Sequence, residues 1–181
     1  MHFLTLLSGL ATASLAPYNF GPVSSRDTTL YTACRPGNPP SKSDAVTTEA
    51  VAEWIEFMKA SGVSKVVCLL DENEYCNYNT DLCKLYGCAG LDYICQEMGA
   101  EGASTRINEF IDQAADSGEK VVAHCTGGVG RAGRVAAGWL VHRYGLTPAE
   151  ATLETLATAH DASVNRKGDA DALSSWLKLA P

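Results

Sequence analysis

No lysine or arginine precedes Arg26. A secretory signal normally opens on positive charge. The apolar stretch from Met1 to Ala16, with Leu4, Leu6, Leu7 and Leu10, therefore reads first as a packed N-terminal segment and second as a cleaved signal. No later stretch is apolar over the length a bilayer requires. Low-complexity tracts and repeat periods are missing too, which excludes fibrous, solenoid and disordered classes. Basic residues are in deficit, 14 against 21 acidic ones, for a net charge of -7. Nucleic acid and anionic membranes reward a basic surface, so neither is expected as a partner and any anion site must be local.

Cysteine is not scarce, with seven in the chain, but none forms a C-x-x-C pair and no histidine is spaced to complete a zinc set. The expectation is no metal and no cofactor, with most thiols serving as small buried hydrophobes in a cytoplasmic protein. The alternative is a secreted chain in which six of them pair.

What is present suits a single domain over 1–181, with 46% hydrophobic residues. Thr28 to Ala33 reads as a strand stopped by Pro36-Gly37, and Val51, Trp54, Ile55 and Met58 mark a helix from Thr47 to Ser61. Val63 to Leu70 is a short apolar run of the buried-strand kind, and Leu91 to Cys95 is another strand. A short helix is placed around Thr80 to Leu85. Ser104 is read as the cap of a helix facing inward through Ile107, Phe110, Ile111 and Ala114. Lys120 to His124 is the next strand, Arg131 to Tyr144 a buried helix, and Thr147-Pro148-Ala149-Glu150 a capping box. A last helix runs from Ala170 to Leu179. The alternation gives an α/β fold, a central mostly parallel sheet flanked by helices.

One segment carries chemistry. His124-Cys125-Thr126-Gly127-Gly128-Val129-Gly130-Arg131 joins an apolar strand to a helix through a glycine-rich loop. Such a loop aims several backbone N–H groups and the helix dipole at one point, where a phosphate fits. Arg131 can grip two phosphate oxygens, and Cys125 in the same positive field becomes a thiolate nucleophile. The phosphate-binding set is Thr126, Gly127, Gly128, Val129, Gly130 and Arg131, with His124 as a structural support rather than a base.

Here the sequence resembles the protein tyrosine and dual-specificity phosphatase superfamily, with its His-Cys-x5-Arg signature. It is most similar to the small atypical dual-specificity enzymes of the kinase-associated phosphatase type. The resemblance spans roughly Leu30 to Trp176 in element order and is sharp from Val121 to Gly133. It implies a cysteine-phosphatase fold, phosphoprotein substrates and a cysteinyl-phosphate intermediate. Ala132 stands where the family usually has a hydroxyl that helps the sulfur leave, which implies slow turnover. By the family's loop order the proton donor falls at Glu97, with Glu101 and Asp71 as alternatives. Asp169, Leu173 and Trp176 keep the spacing of the family's Gln-containing final helix, although Asp169 itself is unmatched, and Arg134 is read as a support for the loop. One of the cysteines from Cys68 to Cys95 is further read as a trap for oxidised Cys125. Two rival functions share the loop: a catalytically silent phosphopeptide-binding module and a persulfide sulfurtransferase.

Overall fold

The computed structural model describes residues 16–38 and 45–178. Almost all of the apolar opening stretch lies outside them, as do residues 39–44.

Five strands make one sheet in the order β1-β2-β5-β3-β4. They are β1 (Gly21–Pro22), β2 (Leu30–Cys34), β3 (Val63–Cys68), β4 (Asp92–Cys95) and β5 (Lys120–Cys125). Only β1, at the edge, is antiparallel; the other pairings are parallel. β5 enters last and takes the gap between β2 and β3, so its C-terminal residue, Cys125, emerges where the chain's winding reverses. That is where ligands meet open α/β sheets.

Period-two alternation divides the core. Val121, Ala123 and Cys125 of β5 face one cluster, and Val122 faces the other. The first cluster is closed by α3 (Ala103–Ser117), α4 (Arg131–Tyr144) and α6 (Ala170–Leu177), through Ile107, Ile111, Val135, Trp139 and Leu173. α5 (Pro148–Asp161) packs between α4 and α6 and adds Ala151. The second is closed by α1 (Thr48–Ala60) and α2 (Leu82–Cys88), through Trp54, Met58, Leu82 and Tyr86. Each such large side chain contributes roughly 1.5–3 kcal/mol on full burial.

The caps follow the sequence in α1, where Thr47 accepts from the Ala50 N–H at 3.2 Å. They follow it again in α5, where Thr147 and Glu150 satisfy each other's backbone N–H groups. α4 runs from Arg131 to Tyr144 and ends on Gly145 at φ +68°, a left-handed position that favours glycine.

Four expectations need correction. β2 starts at Leu30 rather than Thr28, because Asp27 Oδ1 accepts from the N–H groups of Thr29 and Leu30 and turns the chain first. Ser104 does not cap α3. Gly102, at φ +67°, opens that helix two residues earlier and leaves Ser104 buried inside it with its hydroxyl unpartnered. The short helix begins at Leu82, capped by Asp81, and extends to Cys88. The thiols are not uniformly buried hydrophobes: α2 against β4 brings Cys83 and Cys95 into a disulfide, and Cys76 and Cys88 are exposed. Cys34, Cys68 and Cys125 are buried and free. Among the described residues no helix is long and apolar enough to cross a membrane.

Candidate active site

The loop from Cys125 to Arg131 is held from outside by its carbonyl oxygens. The Arg35 N–H donates to Cys125 O at 2.8 Å. Asn19 Nδ2 donates to Gly127 O at 3.3 Å and Gly128 O at 3.2 Å, and the Lys167 N–H donates to Val129 O at 3.2 Å. In a trans peptide the C=O of one residue and the N–H of the next point in opposite directions. With these carbonyls turned outward, the N–H groups of Thr126, Gly128, Val129 and Gly130 turn to the loop's interior. Asn19 is itself stitched to Asn165, donating to its carbonyl at 2.9 Å and accepting from its N–H at 2.6 Å.

Of the three glycines in the loop, only Gly128 takes a left-handed backbone, at φ +69°. A Cβ there would lie 2.4 Å from the carbonyl carbon of Ala33, so glycine is the residue that fits. Gly130 caps α4 at φ -85°.

Arg131 is anchored rather than free. Its Nη1 donates to Leu69 O at 2.7 Å and to Asp71 Oδ2 at 3.1 Å. Glu74 takes the guanidinium end-on, with Oε2 on Nη1 and Oε1 on Nη2 at 2.9 Å. Nη2 also donates to Thr126 Oγ1 at 2.8 Å, and that hydroxyl in turn bonds Glu74. Burial pushes the Glu74 carboxyl up, but hydrogen bonds from Arg131 and Thr126 outweigh it and hold it at about 2. Glu74 is therefore a fixed anion and no proton donor near neutrality. Its hydrogen bonds raise the Arg131 pKa in return.

Glu74 was missed in the sequence. Its signal was there: Asp71-x-x-Glu74 directly after β3 has the spacing of a capping box, and the Asp71 N–H does donate to Glu74 Oε2 at 2.9 Å.

His124 is fully buried. Its Nε2 pairs with Tyr86 Oη at 2.9 Å, and its ring lies edge-on to Trp54 with centroids 5.3 Å apart. Burial first, then the nearby Arg131 and Arg35 charges, lower its pKa from 6.5 to about 3. An imidazole depressed in the folded state stabilises fully above its unfolded pKa and loses that contribution as pH falls toward the folded one. Between pH 6.5 and 3 the unfolded chain gains a proton the folded chain refuses. By pH 5 this costs about 2 kcal/mol. Urea unfolding at pH 7 and pH 5 should show that loss in the wild type and not in His124→Phe; equal losses would remove the assignment.

Cys125 is 3% exposed at the base of the loop. Its register partner is Cys34 on β2, while Cys68 is paired with His124 and packs in the cluster on the opposite face of the sheet. The thiol beside Cys125 is thus Cys34, not one from the segment Cys68 to Cys95. Cys83 and Cys95 are moreover bonded to each other.

Ala132 is buried at the first turn of α4. Glu97 is exposed on the segment after β4, where its Oε1 accepts from the Glu72 N–H at 2.9 Å. Among the described residues no hydrogen bond joins it to the loop. Asp71 does reach the site, through Arg131, and Glu101 is exposed with its backbone carbonyl taken by Arg106. Asp169 finds a structural role: it caps α6, accepting from the Ala172 N–H at 2.9 Å. Leu173 and Trp176 are buried behind it, with Trp176 Nε1 on Met98 O. Arg134 lines a cavity of about 540 Å³ behind the loop, with Gly130, Gly133, Lys167 and Asp169.

A strand, an anion-ready loop and a helix, with cysteine first and arginine last, define a cysteine-phosphatase class of fold, and solved structures agree. Kinase associated phosphatase, in a form with its catalytic cysteine changed to serine, is 19% identical with a TM-score of 0.68, over 92% of this chain and 98% of that one. The active form of Tk-PTP is 22% identical with a TM-score of 0.61, over 84% and 90%. PTPMT1 in complex with PI(5)P is 17% identical with a TM-score of 0.63, over 88% and 94%. No curated protein matches the chain in sequence. Residues 42–145 match the family described as "Polymorphic toxin system, DSP-PTPase phosphatase", and the chain belongs to that family.

Proposed function

We propose that this chain hydrolyses phosphotyrosine on proteins, with phosphoserine and phosphothreonine as further substrates, through a cysteinyl-phosphate. The observation that carries this is the ring of loop carbonyls bonded outward around Cys125, with Arg131 fixed at its rim by Glu74.

The inward N–H groups receive three phosphate oxygens beside Cys125. The thiolate attacks phosphorus, the S–P bond forms, and the P–O bond to the substrate breaks. Arg131 bears the charge that gathers on the equatorial oxygens. The leaving oxygen takes its proton from Glu97, whose segment is tied by Glu72 to the stretch that holds Arg131. Water then releases phosphate, without help from a hydroxyl at position 132.

No lysine lies inside the loop, which favours phosphoproteins over the phosphoinositide held by PTPMT1. The family's description supports an effector setting, in which the enzyme acts as a toxin on phosphoproteins of a target cell. The Cys83–Cys95 disulfide favours the secreted alternative over a cytoplasmic one, because such bonds persist in oxidising compartments. Ala132 favours the silent-module reading as the rival.

The deciding assay offers the purified chain p-nitrophenyl phosphate, a phosphotyrosine peptide, and thiosulfate with cyanide. Phosphate release from the first two is the expected result. Phosphopeptide binding without release makes the chain a silent module, and thiocyanate formation makes it a sulfurtransferase.

A further inference from the structure

Three sulfurs meet outside the catalytic loop itself. The Sγ atoms of Cys68, Cys83 and Cys95 lie within 4.8 Å of one another. They come from three elements: Cys68 and Cys95 end the paired strands β3 and β4 as register partners, and α2 packed on β4 brings Cys83. Spacing along the chain hides the set, since no two of these residues form a C-x-x-C pair.

We propose that Cys68, Cys83 and Cys95 form a binding site for one thiophilic d10 cation of the zinc type, opened by reduction of the Cys83–Cys95 disulfide. The proposal stands whether or not the chain turns over phosphoesters.

A tetrahedral zinc thiolate site has Zn–S bonds of about 2.3 Å, which puts its sulfurs roughly 3.8 Å apart. The three Sγ atoms, all within 4.8 Å of one another, are close to that spacing. Cys68 is buried, Cys83 half-buried and Cys95 exposed, so three sulfurs close the inner side and the outer side is left for a water ligand. Tyr75 completes the surroundings, its Oη 3.4 Å from Cys68 Sγ and 3.9 Å from Cys83 Sγ. Its hydroxyl lies where it can donate a hydrogen bond to a ligating thiolate, the kind of contact that orients metal ligands.

In the oxidised protein Cys83 and Cys95 spend their sulfur electrons on each other. A dithiol reductant supplies two electrons and two protons, breaking the S–S bond to give two thiols while becoming a disulfide itself. The cation then takes the three sulfurs as thiolates, and three protons leave to solvent. A chain passing from an oxidising to a reducing compartment would gain the metal at that step.

The test uses the full chain as Cys125→Ser, so that the loop thiol does not compete. Cd2+ is titrated into reduced and oxidised protein, and the ultraviolet thiolate-to-cadmium charge-transfer band is read. Reduced protein should saturate at one equivalent with the intensity of three thiolates, and oxidised protein should show no band. Cys68→Ser and Cys83→Ser should each remove about one third of the intensity. Tyr75→Phe should keep three-thiolate intensity while binding about 10–100-fold more weakly. Serine at Cys34, Cys76 or Cys88 should change nothing. No band on reduction, or full intensity in Cys68→Ser, would overturn the proposal. If Cys68→Ser does not fold, melting of the reduced Cys125→Ser chain decides: equimolar Zn2+ raises its Tm, and an unchanged Tm sinks the site.

Discussion

Cys125→Ser should bind a phosphotyrosine peptide and release no phosphate from it, with p-nitrophenyl phosphate turnover reduced by at least about 10^3-fold. The substitution exchanges one small side chain for another at a 3% exposed position, so the loop stays built. Only the nucleophile is lost, because a serine hydroxyl has too high a pKa for the loop to ionise. Peptide affinity by calorimetry and phosphate release by a coupled assay separate the two effects. Residual turnover above that level would mean that the sulfur does not form the covalent intermediate.

Arg131→Met comes next in size, with kcat/KM expected to fall by about 10^2–10^3-fold, the usual loss when one preorganised oxyanion partner is removed. Glu74→Gln gives this its meaning. The neutral amide still bonds Arg131 but drops the charge that fixes the guanidinium, so a smaller loss of roughly 10-fold, mostly in KM, is expected. Steady-state kinetics on both variants and on the double variant checks the link. If Glu74→Gln adds its full loss on top of Arg131→Met, the two residues act independently and the anchoring role falls.

Much of this was legible in the sequence, and particular residues show why. Helix α4 was read end to end because Arg131 and Gly145 bracket an unbroken apolar face. The capping box at Thr147 is a local device that needs no tertiary partner. The loop itself is local as well, seven residues whose order states their chemistry. What stayed hidden is long-range. Asn19 reaches across more than a hundred positions to Gly127 and Gly128, and Glu74 reaches Arg131 across 57. Neither distance leaves a periodic or compositional trace. Ser104 misled for the opposite reason: a good capping residue lost to Gly102, whose freedom at positive φ opened the helix earlier.

The insertion of β5 between β2 and β3 has a consequence for how activity arises during folding. A chain that stopped at Gly118 would leave the slot between β2 and β3 unfilled and would lack the loop, its cysteine and its arginine. Only when the last segment threads into that slot do Arg35, on one side, and Leu69, on the other, find the partners that shape the pocket. The middle strand alone does not complete the site, because Arg131 lies in α4 and Lys167, which holds Val129, follows α5.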